Sequence, residues 1–148
     1  VSVLDFLFGN INDDFFGKLI FNRMSSDRYW QGKVDFFPTN SKIDIYFFDL
    51  EEKVSEEHKL FYKEFEKRYF EIKEKIIEVL KNPPSSMDYL PNKNFDKLKL
   101  IGLSFPTVEA IRKSSFHWDL YFSFSESSNL SIAMETWEID KNEIYWGE

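Results

Sequence analysis

The chain has 148 residues, 43% of them hydrophobic and including 17 Phe, 7 Tyr and 4 Trp, which is enough apolar side chain for a packed core and too much for a disordered segment. A net charge of −7 argues against direct nucleic-acid binding, because neutralising phosphates takes Lys and Arg. The absence of Cys removes disulfides, thiolate metal sites and cysteine nucleophiles together, and fits a reducing compartment such as the cytoplasm.

The amino terminus, VSVLDFLFGNINDD, lacks the basic n-region and small-residue cleavage site of a signal peptide, although a leader trimmed before Val1 stays open. No apolar run approaches the ~20 residues of a membrane span. Residues 1–14 read as a lead-in with a short helix or turn. Phe15–Phe21 then reads as a first strand, with Gly17 marking a bulge or close approach. Tyr29–Phe37 follows as a second strand, in which Trp30, Val34 and Phe36 share one side and Tyr29, Gln31, Lys33 and Asp35 the other. After the turn Pro38-Thr39-Asn40-Ser41, Lys42–Asp49 alternates as a third strand.

Glu56–Asn82 is the most strongly patterned stretch. Phe61, Phe65, Tyr69, Ile72, Ile76, Val79 and Leu80 recur at steps of three and four, the mark of one buried helical stripe. Ser55 is placed to cap its start, and Pro83-Pro84 stops it. Charges four apart (Lys53/Glu57, Glu64/Arg68, Lys67/Glu71, Glu71/Lys75) fit a solvated outer face. Phe70 and Ile77 lie off the main stripe, either widening it or marking a dimer contact.

Beyond the proline-rich crossing Asn82–Asn94, Leu98–Phe105 is a fourth strand and Thr107–Lys113 a single helical turn capped by Thr107. Phe116–Phe124 alternates without a miss. Leu130–Ile139 continues with Leu130, Ile132 and Met134 on one side and Ser131, Ala133, Glu135 and Trp137 on the other. Asp140-Lys141-Asn142 then turns the chain into a short edge strand, Glu143–Trp146.

This order predicts one α+β domain over residues 1–148, a mostly antiparallel sheet of six to seven strands (βββ-α-βββ) with the long helix packed on one face. One helix about 10 Å across cannot roof six strands spaced ~4.8 Å apart, so the second face needs another explanation. Alternation assigns to it Tyr29, Gln31, Lys33, Asp35, Asp44, Tyr46, Phe48, His117, Asp119, Tyr121, Glu135 and Trp137. Such aromatics either support cross-strand pairing alone or form a protein-contact surface.

No stretch spells a reaction. The two histidines, His58 and His117, have no HExxH or comparable ligand spacing around them, and neither phosphate-loop motif nor a GxSxG elbow occurs. Glu135 and Glu138, three apart on a strand, point to opposite faces. The expectation is therefore a non-enzyme with no cofactor and no metal.

The run FFGKLIF, then YWQGKVDFF, then KIDIYFFDLEE before a long charged helix resembles small bacterial domains of unknown function, some of which accompany polymorphic or contact-dependent toxins as immunity proteins. The matching features are Phe16-Gly17, Trp30-Gln31-Gly32-Lys33-Val34 and the charged helix, about half the chain. The resemblance carries no functional residues. It implies a cytoplasmic protein, monomer or homodimer, that binds a cognate toxin domain, for example a basic nuclease, and touches neither nucleic acid nor membrane directly. From the residues themselves, the expected contact is the acidic-aromatic last third: Asp119, Tyr121, Glu135, Trp137, Glu138, Asp140, Tyr145 and Trp146. A self-associating scaffold, or an enzyme with an unrecognised site, are the alternatives.

Overall fold

In a computed structural model the described residues are 7–23, 28–51, 53–82, 95–125 and 128–147. Among them, eight strands form one sheet in chain order: β1 (Asn10–Asp13), β2 (Gly17–Asn22), β3 (Tyr29–Phe36), β4 (Ser41–Phe47), β5 (Lys99–Ser104), β6 (His117–Ser125), β7 (Ser128–Glu135) and β8 (Glu138–Gly147). The long helix, α1 (Glu56–Lys81), separates β4 from β5, and a short one, α2 (Val108–Arg112), separates β5 from β6. Every strand pair is antiparallel except β4/β5. That exception follows from α1, since a crossover helix returns the chain in its starting direction whereas tight turns reverse it. Two four-stranded meanders thus meet at a parallel seam.

The α+β class and the mainly antiparallel sheet are as the sequence predicts, but the order is four strands, helix, four strands. The extra strand is β1. Asp13 accepts the backbone N–H of Phe15 and Phe16 at 2.9 and 2.8 Å and bends the chain between Asp13 and Gly17, so the expected first strand starts only at Gly17. The second correction is at the other end. Thr136 (φ 50°) turns the chain straight after Glu135, which pairs with Glu138, so Leu130–Ile139 is not one strand. Asp140-Lys141-Asn142 lies inside β8 rather than in a turn. The expected proline stop at Pro83-Pro84 and most of the crossing after it fall outside the described residues.

α1 buries Phe61, Phe65, Tyr69, Ile72, Ile76 and Leu80 as its spacing predicts, with His58 and Tyr62 added at its start. Its stripe meets aromatic rings from the sheet: Phe65 stacks on Phe36 at 5.4 Å and Phe61 meets Trp118 edge-on at 5.0 Å. Ile77 widens the stripe against the core, whereas Phe70 stays 59% exposed. Ser55 does not cap with its side chain; its hydroxyl is 3.1 Å from His58 Nδ1. Of the outer-face charges, Glu64/Arg68 and Glu71/Lys75 close at 2.7 and 3.3 Å, while Glu57 reaches across to Arg112 of α2 at 3.0 Å.

Two glycines permit close approach of neighbouring strands. A Cβ on Gly32 would stand 2.5 Å from Leu19 Cδ2 and 3.1 Å from the Lys18 carbonyl oxygen, and one on Gly102 would stand 3.0 Å from the Asp44 carbonyl oxygen. Gly102 therefore sets the tightness of the parallel seam.

Candidate functional site

The face of the sheet away from α1 carries the candidate site. Alternation along β3 and β4 sends Trp30, Phe36, Ile43, Ile45 and Phe47 into the core, and so sends Tyr29, Asp44 and Tyr46 to the other side, with Phe48 just past the strand end. On β5 the register shifts between Leu100 and Gly102, and this bulge brings Gly102 and Ser104 onto the same open face as Asp44 and Tyr46, their seam partners. On β6, Asp119 and Tyr121 alternate with buried Trp118, Leu120 and Phe122.

All of these open-face residues except Asp119, which stands beside it, line a pocket of about 590 Å³ whose walls come from β3 through β8, with Tyr29 at one limit and Tyr145 at the other. In a flat sheet those strands would stand ~24 Å apart, so one shared pocket requires the sheet to coil into a trough. Within it the rings support one another edge-to-face: Tyr29 to Tyr46 at 5.5 Å and Tyr46 to Tyr121 at 5.8 Å. The Tyr121 hydroxyl is 2.6 Å from the buried Ser104 Oγ, and the Tyr29 hydroxyl accepts from Asn22 Nδ2 at 2.8 Å. Phe48 and Tyr145 are 52% and 63% exposed at the rim.

Burial governs the ionisable groups in and beside the trough. Burial, reinforced by Asp44 and the neighbouring tyrosines, pushes the Tyr46 phenol up to about 12; burial also raises Tyr121, against the pull of its Ser104 hydrogen bond. Both phenols are protonated donors at neutral pH. Burial and then the nearby Glu143 carboxylate raise Asp119 above the ordinary range, with His117 opposing them. Asp44 is offset by Lys33 at 3.2 Å. Asp119, paired across the strands with Ser104 and Ala133, has no hydrogen bond or ion pair among the described residues.

The structure divides the eight residues expected from sequence. Asp119, Tyr121 and Tyr145 lie on the trough side, and Glu135 sits at its margin opposite His117. Trp137 is not on that face. As a turn residue it folds over the core, stacking on Phe61 at 5.2 Å beneath Arg68 at 4.8 Å. Glu138 turns towards Lys75 of α1 at 3.5 Å, and Asp140 accepts the Asn142 N–H at 3.0 Å. Trp146 borders the trough but packs its ring on Phe124 at 5.1 Å. Sequence reasoning left Tyr29, Asp44, Tyr46, Phe48, Gly102 and Ser104 out of the site, although alternation had already placed four of them on the second face.

A second pocket, about 760 Å³, lies beside the start of α1 and holds Ser55, His58 and Asp49. Their spacing has the outline of a nucleophile, a base and an orienting acid, with His58 Nε2 3.2 Å from Asp49 Oδ1. The arrangement is better explained as a joint. The His58 ring is 1% exposed and packs edge-on to Phe47 at 5.1 Å, and Nε2 and the Asp49 oxygen are out of line for a well-formed hydrogen bond. Burial works against ionised Asp49, but the adjacent His58 ring and the hydrogen bond from the Val108 N–H outweigh it and hold the carboxyl below its ordinary value. Asp49 thus fastens α2 to α1. Among the described residues, no group of three or more His, Asp or Glu is placed to hold a metal ion, and no helix is long and apolar enough to cross a membrane.

Fold and site together define an α+β protein that offers one open, tyrosine-lined sheet face. Comparison with family models, characterised proteins and solved structures gives no match.

Proposed function

We propose that the chain is a non-enzymatic binding protein that takes a protruding segment of another protein into the trough, and that it serves as an immunity protein, neutralising a cognate bacterial toxin in the cytoplasm. The observation that supports this is the trough itself: about 590 Å³ of concave surface walled by aromatic rings, with donor hydroxyls at fixed positions. Its size lies within the range of sites that receive a ligand or a few side chains, and tyrosine is the residue that recognition surfaces favour. The overall charge of −7 adds a long-range pull on a basic effector.

The test is capture of the toxin domain encoded beside this chain. The native protein binds it, and Tyr46→Ala and Tyr145→Ala each weaken binding at least tenfold while leaving the circular-dichroism spectrum intact. Binding that survives both substitutions would remove the trough as the contact, and failure of the native chain to bind would remove the immunity reading.

A further inference from the structure

The reading of the trough as a protein contact leaves open what enters it, and the side chains around it narrow that choice. Asp44, already paired with Lys33 at 3.2 Å, is the only charged residue that lines the pocket among those described. Asp119 stands next to it, half-buried, across from Ser104, and its nearest charged influences are Glu143 and His117. A carboxylate half-withdrawn from water and set near a second carboxylate, with His117 alone opposing the penalty, is under-compensated. The walls beside it are π-faces, which attract a cation through their quadrupole.

Resting on the binding reading above, we propose that the occupant is an arginine side chain presented by a loop or chain end of the partner protein, its guanidinium lying against Tyr46 and Tyr121 and pairing with Asp119. Arginine is favoured over lysine on chemical grounds. A planar guanidinium stacks on a ring and bonds in a fork to a carboxylate, whereas an ammonium is a compact point charge that keeps its water more tightly. The phenols of Tyr46 and Tyr121 stay protonated and so do not themselves neutralise the guest; the Asp119 carboxylate supplies the charge.

The experiment uses three blocked peptides, acetyl-Gly-Arg-Gly-amide and its citrulline and lysine counterparts, titrated into protein carrying ¹³C-labelled tyrosine. Citrulline keeps the shape of arginine without its charge. The expected result is that the arginine peptide shifts the Tyr46 and Tyr121 ring signals and binds at least tenfold more tightly than the citrulline peptide. Asp119→Asn and, separately, Tyr145→Ala weaken it by about tenfold, the effect of losing one charge-assisted contact or one aromatic wall. Tyr145 is 63% exposed, so its replacement does not threaten folding. Equal binding of the citrulline or lysine peptide, or unmoved tyrosine signals, overturns the inference. Toxin capture lost on Tyr145→Ala, together with indifference between arginine and citrulline, overturns this inference alone. Toxin capture unaffected by any trough substitution overturns both readings.

Discussion

At the scale of single residues, two polar groups withdrawn from water each cost stability, one at every pH and one only where it is ionised. The Tyr69 hydroxyl is fully buried in the α1 stripe with no hydrogen-bond partner among the described residues, and burial lifts its phenol to about 12. An unmet hydroxyl loses its water without recompense, so Tyr69→Phe is expected to raise the stability by about 1 kcal/mol, read as a higher urea midpoint at unchanged slope. A lower midpoint would show that the hydroxyl has a partner. Asp119 differs because its penalty depends on pH. Its folded-state acidity is raised above the ordinary 3.8, so the folded protein holds the proton more tightly than the unfolded chain, and stability is lost as pH rises through the folded value. The groups facing it are Glu143 from β8 and His117 from its own strand, with neutral Ser104 and Ala133 on either side. Asp119→Asn should therefore melt higher than the native chain at pH 7, and the gain should vanish below the ordinary Asp value, where both chains are neutral there. A gain that persists at low pH would place its origin in packing rather than charge.

At the scale of elements, backbone approach decides what each position tolerates. Gly32 holds β3 against β2 so closely that even a methyl group meets Leu19 and the Lys18 carbonyl oxygen, and Gly32→Ala is expected to cost about 1–3 kcal/mol by urea denaturation. A neutral result would show that β2 moves aside freely. Much of this architecture was legible beforehand, for reasons that also explain what was not. α1 and β6 carry long unbroken periodicities with proline or turn formers at their ends, so element type follows from pattern alone. β1 offers only Ile11 among polar residues, and its role emerges only once Asp13 bends the chain back. The Thr136-Trp137 turn has no Gly, Pro, Asn or Asp to announce it, so the alternation ran on through it and put Trp137 on the wrong side. The trough was half visible. Parity placed Tyr29, Tyr46, Phe48 and Tyr121 on one face, but joining Tyr46 to Ser104 and Tyr121 depended on the parallel seam and on the bulge at Ile101, neither of which is a local property.

At the scale of the whole molecule, charge and shape act over different distances. The acidic excess after Ser114 is large in sequence, yet the fold spreads it: Glu138 turns to the helix side, while Asp119 and Glu143 stay with the trough. Glu138, Asp140 and Glu143 lie along β8, the sheet edge, where charged side chains oppose strand-to-strand addition by a second copy, and the other edge, β1, is only four residues long. With Ile77 committed to the core, exposed Phe70 alone makes a poor dimer contact, and light scattering should return a monomer at high concentration. On the proposed function, the net −7 is a field that speeds encounter with a basic partner, while the trough sets how long the complex lasts. Raising the salt from about 0.01 M to about 1 M shortens the screening length from ~30 Å to ~3 Å. The association rate with the toxin domain should consequently fall by about 10–100-fold in stopped-flow mixing, whereas the dissociation rate, governed by groups buried in the trough, should change by no more than a few-fold. If salt instead accelerated dissociation and left association unchanged, the contact would rest on exposed ion pairs and not on the aromatic walls.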